Sequence, residues 1–227
     1  IRSIVMALSH SPKIVTDGLV LCLDAGDGKS YSGSGTAWTD RSSTNQNFTL
    51  TNGPTFNSGD QSILFDTTDD YATATNDAFQ FGTGDFSIEV WIKPTEFGSY
   101  THMVAFNDQS VGALKANVSN GIIYFYGGSG TYSTYGSITN WTLVQNEWNH
   151  VIFKRESSVG YGYLNGSSAS GTKTGLNKNF NSSVVNIHKG WGSEFTEAYF
   201  GLVRLYNKGL SDAEVLQNYN ATKGRFS

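Results

Sequence analysis

The chain has 227 residues, 38% hydrophobic and 14% aromatic, which is enough apolar side chain for one large all-β domain or two small ones. Its formal net charge of −4 and the absence of any basic run argue against nucleic acid as a partner. A single cysteine, Cys22, excludes an internal disulfide and paired-cysteine zinc or redox motifs, and the longest apolar runs, 19–23 and 122–126, are too short to insert across a bilayer.

The first half of the chain predicts several short strands. Segment 17–25 is a continuous apolar run between turn residues, which favours a strand buried on both faces, with its cysteine as a small buried hydrophobe. Segment 48–51 is a second short strand. Segments 62–66 and 71–75 follow, and the polar turn between them predicts that these two strands form a hairpin.

The clearest strand is 84–94, in which side chains alternate with a period of two. Pro94 closes it because proline cannot donate a hydrogen bond to a neighbouring strand. Four apolar side chains on one face require a second apolar layer, which the later strands are expected to supply. The inward face carries Phe86, Ile88, Val90 and Ile92, and the outward face carries Ser87, Glu89, Trp91 and Lys93.

Later segments of alternating or apolar character continue this pattern. Asn-Gly turns at 120–121 and 165–166 predict hairpins. Along one of these strands, Val151 and Phe153 are expected to face inward and His150 outward. The strands are predicted at 101–107, 113–119, 122–126, 141–145, 148–156, 161–164, 184–189 and 199–206.

One segment, 212–222, predicts a helix. Ser211 is placed to cap its N-terminus, and Glu214, three residues on, completes a capping box. Leu210 and Val215 have the spacing of a hydrophobic staple. One short helix after about a dozen strands predicts an all-β fold, an antiparallel β-sandwich of the jelly-roll type.

Several stretches together resemble the laminin-G-like, concanavalin A-like jelly rolls. Each stretch alone is weak evidence for this family, and the resemblance rests on the order and spacing of the stretches. It implies an antiparallel β-sandwich in which the opening and closing strands both belong to the core and a capped helix follows the last strand. The stretches are DGLVLCLDA (17–25), SILFDTTDDYAT (62–73), GDFSIEVWIKP (84–94), NEWNHVIFKR (146–155), GYLNG (162–166) and the ending at 200–224.

Three segments show a narrower resemblance, to virion proteins of tailed bacteriophages: 9–16, 29–38 and 49–56. This resemblance implies a non-enzymatic protein on the virion surface, either a capsid decoration or a tail or fibre component. Such a protein acts through protein–protein contacts, so other capsid or tail subunits are the expected partners, with self-association as an alternative.

The segment 1–16 shows neither strand nor helix periodicity, and we interpret it as an extended arm before a domain at 17–227. We hypothesise that this arm anchors the domain to the particle or to a partner subunit. The residues expected to make the anchor are Ser9, His10, Pro12 and Ile14.

The family resemblance implies that a structural calcium ion is one expectation for this chain. Asp66, Asp69 and Asp70 fall in one turn, and hard oxygen donors suit Ca²⁺. Asp24 and Asp27 form a second acidic pair. The alternative, which we favour, is that these carboxylates cap turns by accepting hydrogen bonds from backbone N–H groups.

A carbohydrate-binding module or adhesin that recognises host surface glycans is the alternative function. Aromatic side chains surround a loop rich in Gly, Ser and Thr, which is the composition of adaptable recognition loops. The same aromatics could instead fill the core or bury against a neighbouring subunit. The candidate ligand-binding residues are Tyr124, Tyr126, Tyr132, Tyr135 and Trp141, with Trp91 and Trp191 as further candidates for outward faces.

An enzyme is not expected. A retaining glycoside hydrolase needs two carboxyl groups about 5 Å apart, and the sequence has no run of closely spaced acids on one strand face. Glu89 is the only acid inside segment 86–94, and the four histidines are scattered without a nucleophile motif. We predict no catalytic residues and no cofactor other than the calcium ion already considered.

Overall fold

The computed structural model describes residues 13–97, 99–107, 111–117, 120–126, 134–135, 141–169, 176, 179–190, 192 and 194–226. Within these residues the chain forms sixteen strands, the helix α1 (Asp212–Thr222) and two 3₁₀ helices, Asp77–Phe79 and Lys223–Arg225. The strands are β1 (Leu19–Asp24), β2 (Ala37–Trp38), β3 (Phe48–Thr51), β4 (Thr55–Asn57), β5 (Ser62–Phe65), β6 (Tyr71–Thr75), β7 (Phe86–Pro94), β8 (Thr101–Phe106), β9 (Gly112–Ala116), β10 (Ile123–Tyr126), β11 (Thr134–Tyr135), β12 (Asn149–Glu156), β13 (Val159–Leu164), β14 (Ser167–Ser168), β15 (Val184–Ile187) and β16 (Ala198–Tyr206).

These strands form two antiparallel sheets that pack as a sandwich. Sheet A has the order β14-β13-β12-β7-β16-β5-β4, and β1 also pairs with β16. Sheet B has the order β11-β10-β9-β8-β15-β6-β3-β2. The predicted fold class, an antiparallel β-sandwich with a short C-terminal helix, is confirmed, and the strand predicted at 84–94 is β7, near the middle of sheet A.

The core lies between the two sheets. Phe86, Ile88, Val90 and Ile92 are fully buried in one apolar cluster, as predicted. Rings from opposite sheets interlock there: Phe86 of β7 and Phe106 of β8 lie 6.3 Å apart. Burying each large apolar side chain contributes about 1.5–3 kcal/mol, so these inward faces hold the two sheets together.

The hairpin predicted from 62–66 and 71–75 is wrong. β5 belongs to sheet A, where it pairs with β4 and β16, and β6 belongs to sheet B, where it pairs with β3 and β15. The turn between them therefore crosses from one layer to the other. Both strands bury their side chains in the same core from opposite sides, and a polar turn has the same local chemistry in either connection.

The outer face of sheet A is closed, which the sequence did not predict. Glu89, Trp91 and His150 do point away from the sandwich core, but they are only 0%, 2% and 0% exposed. Helix α1 follows β16 and packs over them with its predicted capping box intact. Among the described residues, no helix has both the length and the apolar character needed to cross a membrane.

The N-terminal residues 13–16 also pack on the domain. The Val15 N–H donates to Asn218 Oδ1 at 2.8 Å, and the Tyr206 hydroxyl donates to the Val15 carbonyl at 3.2 Å. Val15 is buried and Ile14 half-buried, so the predicted arm overlaps the folded domain at these four residues. The other predicted anchor residues, Ser9, His10 and Pro12, lie outside the described residues.

Candidate ligand-binding site

The outer face of sheet B carries a row of polar and aromatic side chains. His102 of β8 lies opposite Lys115 of β9, and Lys115 lies opposite Tyr124 of β10. Their neighbours Leu114 and Phe125 belong to the buried core. Because side chains alternate along a strand, the three residues of the row point away from the core and lie side by side.

Neighbouring residues complete what we call the sheet B patch. The Nε2 atom of His102 is 2.9 Å from Glu194 Oε2, and Lys115 Nζ is 4.0 Å from the same oxygen. Lys115 Nζ also lies 4.0 Å from the Tyr100 ring centroid, a cation–π contact. The patch consists of Tyr100, His102, Lys115, Asn117, Tyr124 and Glu194, with Asn117 Nδ2 donating to the Tyr124 hydroxyl at 2.9 Å.

The protonation states in the patch follow from its burial and its charges. Burial lowers the pKa of His102, so the imidazole is neutral at pH 7 and its Nε2–H donates to Glu194. This hydrogen bond, together with the charge of Lys115, lowers the pKa of Glu194 and keeps it ionised. Burial also lowers the pKa of Lys115. The patch therefore offers hydrogen-bond donors, a carboxylate acceptor and aromatic rings on one surface.

The structure places the candidate glycan-binding residues predicted from the sequence in different environments. Tyr124 is half-buried in the patch. Trp141 does not fit the role of an exposed stacking platform, since it is fully buried with its Nε1 donating to the Tyr163 carbonyl at 3.0 Å. Tyr126 and Tyr135 are described only through their backbones, in β10 and β11. Tyr132 and Trp191 lie outside the described residues.

Sequence reasoning missed three residues of the patch: His102, Lys115 and Glu194. The alternation within β9 was a usable signal for Lys115, because its neighbours Leu114 and Ala116 are apolar core residues. All six residues of β8 are buried, so that strand offered no alternation that would single out His102. Glu194 gave no such signal. It reaches the patch from a loop whose path depends on the pairing of β15 with β8.

The acidic turn considered as a calcium site is held by its own backbone, as the favoured capping alternative predicts. One carboxylate oxygen from each of Asp66, Asp69 and Asp70 lies within 4.8 Å of the others. However, Asp66 Oδ1 accepts hydrogen bonds from the N–H groups of Thr68, Asp69 and Asp70 at 2.8, 3.2 and 3.4 Å. These bonds account for the position of Asp66, whereas a calcium ion stays a prediction.

Glu89 is part of a buried network beneath α1. His150 Nε2 and Arg204 Nη1 both lie 3.0 Å from Glu89 Oε1, and Asn218 Nδ2 donates to Oε2 at 2.8 Å. Burial acts to raise the pKa of Glu89, but Arg204 and His150 outweigh it and hold that pKa below its usual value. The carboxylate is inaccessible to a substrate, so its role is to fix α1 and residues 13–16 to sheet A.

Comparison with known families agrees with this architecture. Residues 66–216 match the laminin-G-like family described as the concanavalin A-like lectin/glucanases superfamily. The chain belongs to this family. No curated protein matches the sequence. The matched residues cover β6 to β16 and the first five residues of α1, and therefore include every residue of the sheet B patch.

Solved structures with the same fold include receptor-binding domains. The binding domain of botulinum neurotoxin DC in complex with SialylT has a TM-score of 0.71 and 14% identity, covering 91% of this chain and 52% of that one. The same domain in complex with rat synaptotagmin II has a TM-score of 0.69, 14% identity and coverages of 91% and 52%. A structure titled for the dependence of botulinum neurotoxin C cell entry on two ganglioside molecules has a TM-score of 0.70, 14% identity and the same coverages.

At 14% identity these similarities establish a shared fold and nothing finer. The chain spans about half the length of these binding domains. These comparisons do not assign the binding that the titles name to the half of each chain that is matched here.

Proposed function

We propose that this domain is a non-catalytic binding module whose sheet B patch recognises a glycan on a cell surface. The observation that carries the proposal is the pair of Lys115 and Tyr124 on neighbouring strands with Glu194 beside them, where the fully buried His102 holds Glu194 in place. A sugar hydroxyl both donates and accepts hydrogen bonds. The patch offers both partners to it, with Lys115 as donor and Glu194 as acceptor.

Aromatic rings at the edges of the patch support the choice of a sugar. Tyr100 and Tyr124 are half-buried, so each residue keeps part of its surface accessible, and a tyrosine ring can pack against the apolar face of a pyranose. Membership in a family of lectins and glucanases is consistent with this proposal. So are the two solved relatives whose titles name SialylT and gangliosides.

The inaccessibility of Glu89 supports a non-catalytic role. This residue is the only acid within β7, and it is 0% exposed beneath α1. A glycosidase needs its acid and its base at the substrate. Glu89 therefore has no access to the bond that a glycosidase would cleave.

A second candidate is a structural protein on the surface of a bacteriophage virion, bound to capsid or tail subunits. The resemblance of 9–16, 29–38 and 49–56 to virion proteins favours it. In that case residues 1–12 would lead from the packed segment 13–16 to the particle. The two candidates are compatible, because an adhesin on a particle needs both a glycan site and an anchor.

A glycan array with the full chain tests the proposal. We expect reproducible hits that are lost in Lys115→Met and Tyr124→Ala and kept in Lys29→Met, which alters an exposed lysine outside the patch. A blank array would contradict glycan binding, as would hits that both patch variants retain. If the protein binds virion particles but no glycan on the array, the structural role is favoured.

A further inference from the structure

A cavity of about 330 Å³ opens outside sheet A, on the side of the molecule opposite the sheet B patch. We call it the C-terminal groove, because most of its wall comes from α1 and the residues that follow it. Trp91 of β7, Trp148 before β12, and Tyr219 and Phe226 near the C-terminus supply four aromatic rings to its lining. None of these residues belongs to the sheet B patch.

The aromatic floor of the groove is fixed in place. Trp91 stacks on Phe226 with a centroid distance of 4.4 Å and on Tyr219 at 5.9 Å. Its Nε1 donates to Thr222 Oγ1 at 2.8 Å. Trp91 and Phe226 are buried, whereas Trp148 and Tyr219 are only half-buried. The groove thus presents two partly exposed aromatic surfaces on a preorganised base.

The rim of the groove carries hydrogen-bond donors. Asn165 is exposed, and its side chain is oriented because its Oδ1 accepts the His150 N–H at 2.9 Å, which leaves the Nδ2 amide hydrogens for a ligand. Lys223 is exposed, with its Nζ 5.3 Å from the Tyr219 ring centroid. The described lining contains no acid. A ligand rich in acceptors, with a negative charge, is complementary to this rim.

Lys93 adds a further positive charge at the edge of the groove. Its Nζ lies 5.3 Å from the Trp148 ring centroid. Because Asp60 pairs with it, its charge is partly compensated. Lys223 forms no ion pair with a described residue, so it is the cation better placed to bind an anionic ligand.

We propose that the C-terminal groove binds a pyranose that carries a carboxylate, a sugar of the uronic or sialic acid class. The pyranose ring packs on Trp148 and Tyr219, the carboxylate pairs with Lys223, and Asn165 donates to a hydroxyl. A volume of about 330 Å³ lies at the small end of ligand sites and suits one or two sugar rings. This site does not depend on the sheet B patch.

Calorimetric titration of the full chain with glucuronic acid and N-acetylneuraminic acid, against glucose as the neutral control, tests the groove. We expect at least one acidic sugar to bind roughly tenfold more tightly than glucose, about 1.4 kcal/mol. Lys223→Gln should remove that preference. Trp148→Ala should abolish binding, while Trp148→Phe keeps a ring and retains part of it.

Lys29→Gln removes a lysine charge elsewhere on the surface and should change nothing. Lys115→Met, in the sheet B patch, should also leave acidic-sugar binding intact, and thermal unfolding checks that each variant is folded. Absence of saturable binding at millimolar sugar, equal binding of glucose, or unchanged binding in Lys223→Gln would overturn the groove proposal. If acidic-sugar binding is lost only in Lys115→Met, the acidic sugar binds at the sheet B patch. That result would overturn the groove proposal and would still agree with the proposed function.

Discussion

At the scale of single residues, the carboxylate of Asp66 organises the turn between the two sheets. Burial acts to raise its pKa, but the backbone N–H groups of Thr68, Asp69 and Asp70 outweigh burial and lower it. Asp69 lies in the same turn and is exposed. Substituting each of the two aspartates in turn therefore distinguishes a capping role of the turn from a calcium-binding role.

In the presence of a chelator, we expect Asp66→Ala to lower the free energy of unfolding by about 1 kcal/mol, because three backbone N–H groups of the turn lose their acceptor. Asp69→Ala should be nearly neutral under the same conditions. Urea unfolding with and without calcium measures both. If calcium stabilises the wild type and both substitutions cost stability only when calcium is present, the turn is a calcium site and the capping explanation is insufficient.

His102 gives the domain a predictable response to acid. Burial lowers its pKa in the folded protein, so the unfolded chain binds a proton more readily than the folded chain does. The contribution of His102 to stability is fully present above its pKa in the unfolded chain, about 6.5. It is lost as the pH falls from that value towards the lower pKa of His102 in the folded protein. His188, which is also buried, adds a shift in the same direction.

We expect His102→Gln to have a shallower loss of stability between pH 7 and pH 5 than the wild type. Glutamine keeps an amide donor for Glu194 and does not titrate. Thermal unfolding across this pH range measures the difference. Parallel curves for the two proteins would show that His102 does not titrate as its burial implies.

At the scale of elements, α1 is held to sheet A by apolar packing and by the hydrogen bond that Asn218 donates to the buried Glu89. Val215 and Leu210 are fully buried below the helix, as the predicted staple requires. Beside them, Arg204 of β16 is 2% exposed and pairs with Glu89 of β7. Removing one member of a buried pair leaves the other uncompensated, which costs more than losing the pair together.

We therefore expect Glu89→Ala to destabilise the domain by about 3–5 kcal/mol, a large part of the stability of an ordinary domain. Glu96→Ala, at an exposed position just after β7, should stay within about 0.5 kcal/mol of the wild type. Guanidinium unfolding compares the two. A double substitution to Met at Glu89 and Arg204 should recover part of the loss, and an equal cost for Glu89→Ala and Glu96→Ala would refute a structural role for the network.

Local chemistry was sufficient to predict some elements and not others. The capping residues Ser211 and Glu214 placed α1 correctly at 212–222 because a helix start depends on residues within one turn. Alternation placed the inward face of β7. In contrast, the separation of β5 from β6 depends on distant partners, and the burial of Glu89 depends on a helix more than a hundred residues further along the chain.

For the molecule as a whole, the outer faces of the two sheets differ in what covers them. Sheet A has its outer face closed by α1 and by residues 13–16, apart from the C-terminal groove. On the outer face of sheet B, Lys115 and Tyr124 of the polar and aromatic row stay partly exposed, whereas His102 is buried. Because the row lies on three paired strands, it is more rigid than a site built on loops, and such preorganisation reduces the entropy cost of binding.

The most direct test is an NMR titration of the isotopically labelled full chain with a neutral glycan identified on the array. We predict that amide shifts concentrate in β8, β9 and β10 and at Glu194, and that Lys115→Met weakens binding roughly tenfold, about 1.4 kcal/mol. Shifts confined to the outer side of sheet A, or binding that Lys115→Met leaves unchanged, would contradict recognition through the sheet B patch.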